Sequence, residues 1–102
     1  MISQPEKKRF KAIAHHLKPI VTIAGNGLSD SVVHEIKRAL NDHELIKIRI
    51  NADRDERKSL VAATCDATDA EVVQTIGNVA VIYKRAKEPN PALSNVLRSN
   101  VL

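Results

Sequence analysis

The sequence predicts an α/β domain with the element order α-β-α-β-α-β-β, a mixed four-stranded sheet with helices packed on it. Three features lead there. Ile20-Val21-Thr22-Ile23 is β-branched throughout, runs into the turn Ala24-Gly25-Asn26-Gly27, and is followed by apolar residues at helical spacing. The stretch Leu45-Ile46-Lys47-Ile48-Arg49-Ile50 alternates, with the three isoleucines on one side and both cations on the other, as a half-buried strand does. Residues 71–76 and 79–83 are two β-rich runs joined by Gly77-Asn78, a two-residue connection suited to a type II′ hairpin. Strand–helix–strand units need crossovers, and these are right-handed in nearly all sheets.

Taken in order, the first helix opens with a capping-box spacing, Ser3-Gln4-Pro5-Glu6, and a proline in its first turn. Phe10, Ile13, Ala14 and Leu17 form one apolar stripe. Lys7, Lys11 and Lys18 gather on an adjacent face, with Lys8 and His15 beside them. The helix is expected to run to Lys18, because the residue before Pro19 is pushed out of helical geometry. Ser29 or Ser31 then caps a second helix with Val32, Val33, Ile36, Ala39 and Leu40 on its apolar side, broken by Asn41-Asp42-His43-Glu44. Asn51-Ala52-Asp53 turns into a third helix, whose first turn holds Asp53, Asp55 and Glu56, where the helix dipole favours negative charge. Leu60, Val61, Thr64 and Ala67 supply its inward side. One domain is expected over residues 1–87. From Glu88 onward, Pro89 and Pro91 among Asn and Ser residues predict a poorly ordered tail over 88–102.

Composition narrows the function. At 102 residues, with 43% hydrophobic and 27% charged side chains, the chain can build one modest core without metal or disulfide. Cys65 is its single cysteine, which fits a reducing compartment. The opening residues lack a basic-then-apolar leader pattern and no apolar run nears membrane-spanning length, so a cytoplasmic protein is expected. The net charge is +4. Residues 1–18 hold Lys7, Lys8, Arg9, Lys11 and Lys18 against Glu6 alone, while the remaining 11 basic and 11 acidic side chains cancel. The excess charge is therefore concentrated on the first segment, the electrostatic footprint of a polyanion-binding surface.

A strand that delivers a glycine loop to a helix N-terminus leaves unpaired N–H groups in front of the positive end of the helix dipole, which suits a phosphate. Gly25-Asn26-Gly27 is not a dinucleotide fingerprint, since Asp30 stands in place of the third glycine. No Lys-Ser/Thr closes the loop, which excludes a Walker-type site. His15, His16, His34 and His43 lack metal-ligand spacing, Cys65 has no evident activating base, and no carboxylate pair stands out. The reading is therefore of a non-enzyme without metal or cofactor. Phe10 and Tyr83 are the only aromatics, too few for a sheet that stacks bases on two or three exposed rings. If RNA is bound, its backbone must be gripped by cations and loop amides.

Leu17-Lys18-Pro19, Ile23-Ala24-Gly25-Asn26-Gly27-Leu28, His43-Glu44-Leu45-Ile46-Lys47-Ile48, Val73-Gln74-Thr75-Ile76-Gly77-Asn78 and Val81-Ile82-Tyr83-Lys84 together resemble the single-domain bacterial members of the CRM family (chloroplast RNA splicing and ribosome maturation). The likeness spans residues 3–87 in order. It implies a fold similar to the C-terminal domain of translation initiation factor three, and an RNA-binding protein associated with precursors of the large ribosomal subunit. The family's G-x-x-G loop falls on Ala24-Gly25-Asn26-Gly27, with alanine in place of the first glycine. The expected RNA contacts are this loop, Lys7, Lys8, Lys11 and Lys18, joined by Lys47, Arg49, Lys84 and Arg85. The expected partner is rRNA, bound by a monomer without a membrane or small-molecule substrate. The rival reading is a protein-interaction module that docks an acidic partner on the same basic face.

Overall fold

A computed structural model describes residues 2–24 and 27–99. Helix α1 (Gln4–Ala14), strand β1 (Pro19–Ile23), helix α2 (Asp30–His43), strand β2 (Leu45–Ile50), helix α3 (Arg54–Thr68) and strands β3 (Glu71–Ile76) and β4 (Val79–Tyr83) follow in the predicted order. The sheet order is β1-β2-β4-β3, with β1 parallel to β2 and β4 antiparallel to both its neighbours. Both crossovers thus join parallel strands, and β4 folds back into the gap that the second one leaves. In the hairpin, Gly77 has φ +56° while Asn78 stays out of the positive region, the combination of a type II′ turn.

Strand alternation gives the sheet two faces. Ile46, Ile48, Ile50, Ala80 and Ile82 pack under α2 and α3, joined by Val21, Ile23, Ile36 and Leu40. Leu45, Val73 and Val81 meet Phe10, Ile13 and Ala14 of α1 on the opposite face. The α3 side turned inward differs by one residue from expectation: Thr68 is buried and Ala67 exposed. Thr64 and Thr68 are tolerated there because each hydroxyl donates to the carbonyl four residues earlier, at 2.7 Å.

Helix α1 carries the capping box read from the sequence: Glu6 N–H donates to Ser3 Oγ at 3.2 Å and Ser3 N–H to Glu6 Oε1 at 3.1 Å. It ends at Ala14 rather than at Lys18. Two short turns, His16 N–H to Ile13 O and Leu17 N–H to Ala14 O, let the chain straighten before Pro19 enters the sheet. At its start, Ile2 N–H donates to Glu71 Oε2 at 3.0 Å, tethering the helix to β3. The Ser3 backbone N–H, then its hydroxyl, holds the Glu6 carboxyl below its ordinary value of 4.5, and the Ile2 N–H does the same for Glu71. Lowered carboxylate values stabilise the folded form above pH 4.5, and that stabilisation is lost as pH falls through them. Amide exchange in the first turn of α1 is therefore expected to accelerate relative to β2 amides as pH falls below 4.5.

The segment after β4, expected to be poorly ordered, makes defined contacts beside the start of β2 through residues 93–96. Glu44, the C-cap of α2, is buried with φ +61°, and its carboxyl oxygens accept from Ala86 N–H at 2.8 Å and Ser94 Oγ at 2.6 Å. Asn95 Nδ2 donates to Leu45 O at 2.7 Å, and His43 Nδ1 bonds Leu93 O at 2.9 Å. Arg9 on α1 donates to Val96 O at 3.1 Å. These partners lie 42 to 87 residues apart in the chain, so local composition carries no sign of them.

Candidate nucleic-acid interface

Helix α1 covers only one end of its sheet face. Beyond it, Lys47 and Arg49 project from β2 on the α1 side, since Ile46, Ile48 and Ile50 take the other. Thr22 pairs with Arg49, and exposed Ile20 lies beside Lys47 on β1. Lys11 and His15 of α1 overhang this open half and share a recess with Lys47, Gln74 and Ile76. Lys7, one turn before Lys11, continues the row toward β3. Lys18 is exposed at the head of β1, next to the Pro19–Lys47 pairing. Five predicted contacts (Lys7, Lys11, Lys18, Lys47 and Arg49) thus border one open surface. His15 completes it, and its spacing of four from Lys11 was the available signal.

The other predicted contacts are placed differently. Lys8 is exposed three residues before Lys11 and seven before His15, on their side of α1, but it does not itself line the recess. Lys84 and Arg85 follow β4 at the opposite end of the sheet, where Lys84 N–H bonds Glu44 O at 2.9 Å. They lie beside Glu44, apart from the open half. Gly25 and Asn26 lie outside the described residues. Ala24 and Gly27 border the open half at its far end, since Ile23 pairs with Ile50, one residue beyond Arg49. Gly27 does have the positive φ that glycine favours, +80°. Its N–H, however, donates to Ala24 O at 2.9 Å, so the expectation that it offers a free amide to phosphate is corrected. Ala24 is not among the positive-φ residues, and alanine there costs no backbone strain. Ser29, not Ser31, caps α2, accepting from Val32 N–H at 3.3 Å.

The aromatics serve the core. Phe10 stacks on Tyr83 with ring centroids 4.5 Å apart, and burial raises the Tyr83 phenol above its usual value. Burial, followed by Asp66 and Glu71, likewise raises the half-buried Cys65 thiol, which disfavours the nucleophilic thiolate. Among the described residues, no three of His, Cys, Asp and Glu lie close enough together to hold a metal, and no helix is long and apolar enough to cross a membrane.

The profile of the CRS1/YhbY (CRM) domain matches residues 2–84. The chain belongs to the CRM family. Relatives of this CRM-domain protein include one from Pseudomonas aeruginosa, named a probable RNA-binding protein, 46% identical over 95% of this chain and 94% of its own. Another, from Haemophilus influenzae and named an RNA-binding protein, is 43% identical over 85% of this chain and 89% of its own. Among solved structures, a Staphylococcus aureus protein described as hypothetical and as an RNA-binding candidate superposes with a TM-score of 0.76. It is 32% identical and covers 86% of this CRM-domain chain and 93% of its own, so the two share one fold.

Proposed function

We propose that this CRM-domain protein binds RNA and acts in maturation of the large ribosomal subunit, gripping the ribose-phosphate backbone across the open half of its sheet. One observation carries the reading: Lys11 and His15 from α1 and Lys47 from β2, distant in sequence, meet in one recess. Lys7 and Arg49 extend the cationic surface on either side of it. The names of the relatives support RNA as the partner. The ribosomal assignment rests on the family resemblance. With Phe10 and Tyr83 stacked in the core, the grip is electrostatic rather than by base stacking.

Contacts to about four to six phosphates give an affinity that falls by about 0.7–0.9 log units per contact for each tenfold rise in salt. Filter binding of a structured large-subunit rRNA fragment at several salt concentrations measures this slope. The double variant Lys11→Glu/Lys47→Glu is expected to lower its steepness by about 1.5 and to weaken binding about 30-fold at 0.1 M salt. Both side chains project off the core, so its thermal unfolding should match the unaltered protein. A salt-insensitive affinity of the unaltered protein would remove the reading. In cell extracts the unaltered protein is expected to sediment with large-subunit precursors and the double variant to shift to the free fractions.

A further inference from the structure

On the other face of the β3–β4 hairpin, α3 stops short of edge strand β3 and leaves a cleft of about 630 Å³. Its floor is apolar, formed by Val61, Val72 and Ala80, and Val72 remains 44% exposed although its register partner Ile82 is fully buried. Its rim is cationic: Arg54, Arg57 and Lys58 stand on the α3 side and Lys7 on the β3 side, with no carboxylate in the lining. In the linear sequence this charge is hidden. Arg54-Asp55-Glu56-Arg57-Lys58 is nearly neutral. At about 100° per residue the helix turns positions 54, 57, 58 and 61 to one side and carries 55 and 56 to the other. The Asp53 carboxylate is engaged in capping, accepting from Glu56 N–H at 2.9 Å. Arg57 is half-buried and its Nη1 donates to Ala52 O at 2.8 Å, so its guanidinium plane is held in place beside the floor.

We infer that this cleft is a second RNA site, one that takes a single-stranded segment with an unstacked base. The inference rests on the RNA-binding reading of the open sheet half. Phosphates lie on Arg54, Lys58 and Lys7, and a base packs on Val72 and Val61 against the fixed Arg57 plane. A guanidinium plane can serve as a stacking surface for a base. Lys7 stands between the two surfaces, so one strand passing over the β3 edge engages both. A duplex cannot do so, because its bases are already paired and stacked.

The test compares a single-stranded RNA dodecamer with an RNA duplex of equal length on three proteins: unaltered, Arg54→Ala/Lys58→Ala, and Lys11→Glu/Lys47→Glu. Removing two contacts at about 0.7 log units each predicts that the α3 variant binds the dodecamer about 25-fold more weakly at 0.1 M salt, with the salt slope reduced by about 1.4. Its duplex affinity should change far less. In ¹⁵N spectra of the unaltered protein, the dodecamer should shift the amides of Val72, Thr75 and Asn78, and a 4-thiouridine-substituted dodecamer should cross-link to the peptide that contains Lys58. If the α3 variant binds like the unaltered protein while the Lys11/Lys47 variant fails, the cleft is excluded and the sheet site stands. Equal losses on both RNAs mean general electrostatic attraction and overturn the single-strand assignment. If the unaltered protein binds neither RNA, both readings fall together.

Discussion

Phe10→Ala is expected to lower the free energy of unfolding by about 4 kcal/mol, the largest effect of any single change considered for this protein. The ring is 2% exposed and fills the space between α1 and Leu45, Val73 and Val81, so truncation removes its burial and leaves a cavity. It also removes the stack on Tyr83, at 4.5 Å between centroids. For a domain of this size, each kcal/mol corresponds to about 4–8 °C in Tm, so a fall of roughly 15–30 °C should appear in a thermal melt. Phe10→Leu, which keeps most of the volume, should lose far less. RNA affinity of the alanine variant should fall as well, because α1 is the element that holds Lys7 and Lys11 over the sheet. Were α1 not seated through this ring, the two variants would melt alike.

Glu44→Ala is expected to destabilise by about 2–3 kcal/mol, through a different cause. Glu44 occupies a backbone conformation, φ +61° and ψ −46°, that non-glycine residues rarely adopt, and its buried carboxyl group holds Ala86 N–H and Ser94 Oγ. Alanine keeps the backbone strain and leaves the Ala86 donor without its acceptor. Glu44→Gly relieves the strain but loses the same two hydrogen bonds, so it should fall between the alanine variant and the unaltered protein. In both, amide exchange at Ser94 and Asn95 should accelerate much more than in β2, since the C-terminal segment loses its anchor. Equal exchange at Ser94 before and after the change would mean that the segment is held by other contacts.

The difference between these two residues shows what could be read in the chain. Phe10 was legible because its partners Ile13, Ala14 and Leu17 recur at helical spacing, and local periodicity reports which side of an element is buried. Glu44 was not, because in the sequence it sits only in a helix-breaking run, while its partners are 42 and 50 residues away. The same division runs through the candidate interface. The basic row on α1 and the Lys47–Arg49 alternation are periodic and were visible. The placement of Lys84 and Arg85 at the other end of the sheet was not, because it depends on where β4 finishes. Nor was the engagement of the Gly27 amide by Ala24, which depends on how the turn closes.

By itself, then, the amino-acid sequence determined the element order, the capping box of α1, the hairpin at Gly77-Asn78 and the cationic side of α1. All of these follow from side chains within one or two turns of each other, where spacing and backbone preference act directly. Only the tertiary structure decided that β4 lies between β2 and β3, that Ala86 and Ser94 anchor on Glu44, and that Arg54, Arg57 and Lys58 line a cleft. Those outcomes depend on which distant groups fill each other's hydrogen bonds and on which charges a helix turns to the same side. Counting charges along a line cannot register either one.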